Sequence, residues 1–199
     1  MESKAYAKRI LAMAEKDRQI RDQLLRAGQL NDGYHPLMEA VHQENALELD
    51  KITDQIGYPS AAQVGKEASQ AAWVIIQHAI GQPAFMKKCL GQLKRSVDQG
   101  EGNAVHMAYL QDRVLVLEGK KQLYGTQFDW DENGQMSPQP YDNLYEVNRR
   151  RQSSGLNKLD EQCNVMRKRI KKENQLPPLD WQQRQRSYEA WRVKVGWIH

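Results

Sequence analysis

Long hydrophobic runs, cysteines and recognisable nucleotide cradles are scarce or missing in this chain, and each absence narrows what it can be. No apolar run approaches the roughly 18 residues that span a bilayer, so no membrane partner is expected. The N-terminal residues Met1-Glu2-Ser3-Lys4 carry no apolar secretory core. The expected location is therefore cytoplasmic, unless a leader has already been removed. The two cysteines, Cys89 and Cys163, are far apart and show no CxxC spacing, so two free thiols in a reducing compartment are expected. No G-x-S-x-G elbow, Walker loop or G-x-G-x-x-G occurs, so no known phosphate cradle and no cofactor is implied. No repeat of fixed period and no low-complexity tract appears.

What remains is a chain of 199 residues, 40% hydrophobic and 27% charged. That is enough for one soluble domain with a sizeable core, or one domain plus an appendage. The net charge of +4 is unevenly spread. Residues 149–199 hold thirteen Lys/Arg against five Asp/Glu, whereas residues 1–148 are net acidic. Such asymmetry fits an anionic partner, or a solvated basic face on an acidic body.

Hydrophobic periodicity predicts mostly helices. Residues 4 to about 27 carry Ile10, Met13, Ile20, Leu24 and Leu25 at helical spacing, with Gly28 placed to stop the run. Asn31-Asp32-Gly33 is turn material. Pro36 opens a second helix to about Ile56, with Leu37, Val41, Leu47, Leu49 and Ile52 near one face. The stretch from Ala68 to Ala79 is apolar on most sides and reads as a central helix. Helices follow over 84–98 and 103–118. The period then changes: Gln122–Trp130 and Gln135–Ser137, joined through Asn133-Gly134, predict a β-hairpin. Further helices are expected from Asp142 or Asn143 to about Ser154, over 158–172 and over 179–194. The fold class is thus mainly α, a helical bundle with one inserted hairpin at about 122–137. The expected division is a domain over 1–160 and a basic, aromatic C-terminal extension over 161–199 packed on it.

Several motifs fall in order along this frame: Gly57-Tyr58-Pro59, Val64-Gly65, Ala71-Ala72-Trp73, Gln77-His78-Ala79, Asp112-Arg113, Tyr124-Gly125-Thr126-Gln127, Arg150-Arg151 and Gly155-Leu156. Asp17 with Arg21, and Glu44-Asn45 with Asp50, fit a weaker upstream pattern. Together they resemble an uncharacterised bacterial family of unknown function, over about residues 15–160. The resemblance implies no reaction. Tyr58 departs from the tryptophan usual there, and the tail from about Gln162 lies outside the resemblance.

The same residues carry the chemistry. His78 can act as acid, base or metal ligand near neutral pH, and Asp112 can orient an imidazole. Arg113, Arg150 and Arg151 offer planar forks for carboxylate or phosphate. Gln77, Tyr124, Thr126 and Gln127 add amide and hydroxyl groups, and Gly125 permits a positive φ. They point to a small polar or anionic ligand between helices, with a His78–Asp112 pair activating water as the simplest hydrolytic scheme. The competing reading is a hydrogen-bond network tethering the hairpin. No metal is expected, because Glu39-x-x-His42 has the spacing of di-iron bundles but occurs only once.

The tail supports a different class of function. Basic residues alternate with Trp181, Tyr188, Trp191 and Trp197. Because Trp181, Tyr188 and Trp191 lie seven and three apart, they share a helical face suited to docking on the bundle. A protein-interaction module of immunity or adaptor type is the alternative to a ligand site, and nucleic acid is the less favoured partner.

Overall fold

The computed structural model describes residues 2–29 and 34–199. The chain divides into two compact units, Met1–Asn103 and Ala104–His199. The expected turn at Asn31-Asp32-Gly33 lies outside the described residues.

The first unit is built from α1 (Glu2–Arg26), α2 (Pro36–Ile56), the short α3 (Ala61–Val64), α4 (Lys66–His78) and α5 (Pro83–Asp98). Proline opens both α2 and α5, where its missing N–H costs nothing. Helix α4 packs against α1 and α2, and its small residues Ala68, Ala71 and Ala72 are buried there with Ile75 and Ile76. Helix α1 buries Ile10, Met13, Asp17 and Leu24, a single stripe at helical spacing. The buried face of α2 differs from the expected one. It runs through Met38, Val41, His42, Asn45, Ala46, Leu49 and Ile52, while Leu37 and Leu47 are exposed. Those two leucines sit one position off the stripe, and the polar His42 and Asn45 take core positions instead.

The second unit comprises α6 (Ala104–Leu117), β1 (Phe128–Trp130), β2 (Met136–Pro138), α7 (Leu144–Ser153), α8 (Leu159–Lys172) and α9 (Trp181–Lys194). The two strands pair antiparallel, Phe128 opposite Pro138 and Trp130 opposite Met136. The Asp131 carboxylate fastens the turn by accepting from Asn133 N, Gln135 N and Ser137 Oγ. The first strand is shorter than expected: residues 122–127 are not strand. Asn143 caps α7 by accepting from Tyr145 N and Glu146 N.

Residues 161–199 lie inside this second unit. Trp181 Nε1 donates to Trp130 O at 2.8 Å, Arg184 pairs with Asp129, and Trp197 is buried. Tyr188 stacks on Trp191, with the Arg192 guanidinium over its ring. The tail's aromatic residues are thus engaged within their own unit, whereas Leu176 and Leu179 are exposed.

Candidate functional site

Helix periodicity places three ionisable side chains in the core of the first unit. Asp17 occupies the middle of the α1 stripe, His42 the α2 stripe, and His78 ends α4. Asp17 is 3% exposed and His42 9%, whereas the His78 side chain is about one-third exposed. One Asp17 oxygen serves both rings. His78 Nδ1 lies 2.7 Å from Oδ2 and donates to it, because a carboxylate only accepts. His42 Nε2 lies 3.3 Å from the same oxygen, but the contact falls short of hydrogen-bond geometry. The two rings sit 4.8 Å apart. On its far side, His42 Nδ1 is 2.7 Å from the Tyr34 hydroxyl, and these two rings stack.

The electrostatics follow from this geometry. Burial pushes the Asp17 carboxyl up, but the close His42 imidazole and the hydrogen bond from His78 outweigh it. They hold the group well below the usual carboxylate range. Burial, reinforced by the negative charges of Glu39 and Asp17, raises Tyr34, so its phenol stays neutral. Asp17 therefore adds stability above the carboxylate range of the unfolded chain, and that stability is lost as pH falls through the lower folded value. Thermal unfolding between pH 7 and pH 2.5 should accordingly show a shallower acid loss for Asp17→Asn than for the wild type. Parallel curves would remove the cluster's electrostatic role. A pocket of about 20 Å³ opens beside His42, bounded by Tyr34, Glu39, Gln43 and Gln82, with room for about one water.

The other expected site residues gather in the second unit around the segment 122–127. Asp112, fully buried on α6, accepts from the backbone N–H groups of Leu123, Tyr124 and Thr126 and from Thr126 Oγ1. Burial pushes its carboxyl up, and those four donors pull the other way. Arg151, 1% exposed, donates to Tyr124 O, Gly125 O, Asn157 O and Asn157 Oδ1. Arg150 pairs with Asp142 and reaches Leu123 O. Arg113 Nε donates to Gln127 Oε1, and Gln127 Nε2 donates to Tyr109 O and Thr126 Oγ1. The fully buried Gln122 completes the cage. Its Oε1 accepts from Gln127 N, and its Nε2 donates to Gln127 O and Gln139 O. Gly125 has φ +63°, a conformation that favours glycine, and a Cβ there would lie 2.8 Å from Leu159 Cδ1, so that leucine would have to shift.

The structure thus brings Asp112, Arg113, Tyr124, Thr126, Gln127, Arg150 and Arg151 together around one loop. His78 and the buried Gln77 belong to the other unit. Within that unit the carboxylate His78 meets is Asp17. Sequence reasoning named Asp17 only as part of a weak pattern, and His42 only as half of Glu39-x-x-His42. Tyr34 was not foreseen. A usable signal was the acid at a core position between Met13 and Leu24.

No curated protein and no solved structure matches the chain. A family model matches residues 5–171, a longer stretch than the motifs marked, covering the Asp17, His42 and His78 cluster, the Asp112 loop and nearly all of α8. The chain therefore belongs to DUF6624, a family of unknown function.

Proposed function

We propose that the first unit holds a small polar ligand at the Asp17, His42 and His78 cluster and activates water there for hydrolysis. The observation that supports this reading is a single buried carboxylate oxygen facing two imidazole nitrogens, at 2.7 and 3.3 Å, inside an apolar core. Burying Asp17 and His42 there carries a desolvation cost. Asp17 stabilises positive charge between the rings, so a proton drawn from water is held more readily. The pocket beside His42 accommodates such a water. His78, the most exposed of the three, is the residue at the approach from solvent.

A polar rather than an anionic ligand fits this site, because Glu39 and Asp17 make its surroundings acidic. The arginines that favoured an anion are committed elsewhere: Arg150 to Asp142, Arg151 to loop carbonyls, Arg113 to Gln127. Thermal unfolding in the presence of small, uncharged polar esters and amides tests the reading. A compound that binds should raise the wild-type midpoint, by about 2.7 kcal/mol of stability at a hundred times its Kd, and leave His78→Ala unmoved. Hydrolysis of that compound should fall by about 10²- to 10⁴-fold in the variant. Identical shifts in both proteins would overturn the assignment.

A further inference from the structure

The three polar residues in the core of the first unit form a donor set as well as a proton-transfer group. Asp17 Oδ2, His42 Nε2 and His78 Nδ1 come from three different helices and lie within 4.8 Å of one another. We propose that these three atoms bind one divalent first-row transition metal ion, of the zinc(II) class, leaving a further position for water. The inference rests on the reading of the cluster as the functional site and names the cation it holds.

Distance supports it first. Ligands about 2.0–2.2 Å from a tetrahedral zinc stand roughly 3.3 Å from each other. The Asp17–His42 separation of 3.3 Å already matches, and the Asp17–His78 separation of 2.7 Å needs to open by roughly 0.6 Å to reach the zinc spacing. The second support is His42 Nε2. It is buried, lies 3.3 Å from the Asp17 oxygen, and has no hydrogen-bond partner. A ring nitrogen in that position lacks what a metal bond would supply. The third is the Tyr34 hydroxyl at His42 Nδ1. When Nδ1–H donates to that oxygen, the Nε2 lone pair points into the cluster, which is how outer partners orient ligating histidines. Two imidazoles with one carboxylate select against magnesium and calcium, which take all-oxygen sites, and in favour of zinc or its transition-metal neighbours. On binding, His78 Nδ1 gives up its proton, the imidazole stays neutral with its proton on Nε2, and the cation takes its place between the carboxylate and the rings.

The test is titration of the chelator-stripped full chain with zinc(II) by calorimetry and with cobalt(II) by visible absorption. One ion per chain is expected, with the cobalt spectrum of a low-coordinate nitrogen/oxygen site. His42→Ala and His78→Ala should each weaken binding by at least about 100-fold, and Tyr34→Phe, which keeps the ring, by about 10- to 100-fold. Circular dichroism checks that each variant is folded, and Tyr34→Phe keeps the test open if a histidine variant is not. A wild type that takes up neither ion, or affinity unchanged in His78→Ala, overturns the metal. If ligand-induced stabilisation still disappears in His78→Ala, the functional site stands without a metal. If that also persists, both readings fall.

Discussion

Asp112→Ala is expected to destabilise the second unit by about 3–5 kcal/mol, because it strands several buried donors at once. In the native protein the carboxylate accepts from three consecutive-region N–H groups and one hydroxyl, all on residues 123–126. Removing it leaves Leu123 N, Tyr124 N and Thr126 N without an acceptor inside the unit. Asp112→Asn keeps the shape, but its amide NH₂ turns a donor toward other donors, so it should recover less than half of the loss. Urea denaturation gives the free energy. Amide hydrogen exchange at 123, 124 and 126 gives the location, and protection there should collapse before that of α6. A loss below about 1 kcal/mol, with those amides still protected, would mean the loop is held by something other than Asp112.

Arg151→Met should cost about 3–5 kcal/mol for the complementary reason. Its guanidinium is 1% exposed and satisfies two loop carbonyls together with the backbone and side-chain oxygens of Asn157. Burial lowers its pKa, yet guanidinium retains its proton where an ammonium group would lose it more easily. Arg151→Lys should therefore rescue little, since one ammonium cannot span the four acceptors. The double variant Asp112→Ala/Arg151→Met should be markedly less destabilised than the sum of the two single changes, because both residues grip the same segment. Strict additivity in the double-mutant cycle would show that they hold independent structures.

These two residues also mark where the sequence stopped being readable. Local signals placed most elements well: Pro36 at the start of α2, Asp142 or Asn143 at the start of α7, where Asn143 is the cap, and Asn133-Gly134 at the hairpin turn. The same local reading extended strand β1 back to Gln122, and there it failed. Gln122 forms only an isolated parallel bridge with Tyr141, and between it and Gln127, whose carbonyl accepts from Gln139 N, the peptide groups are taken by the side chains of Asp112, Gln122 and Arg151. Nothing within the segment announces that. The site had a similar fate. His78 stood out from its apolar surroundings, but its partners come from α1 and α2, and their convergence depends on how helices pack. The stripe of Ile10, Met13, Asp17 and Leu24 shows that Asp17 faces inward. It does not show which residue waits opposite.

Gripping a loop by its peptide units has an evolutionary consequence for Leu123 and Tyr124. Their main-chain atoms are anchored from both sides, and none of these four bonds passes through their half-buried side chains. Exchange at either position changes the local chemistry and leaves the route of the chain intact. A surface organised in this way can acquire new preferences one residue at a time without passing through a misfolded ancestor.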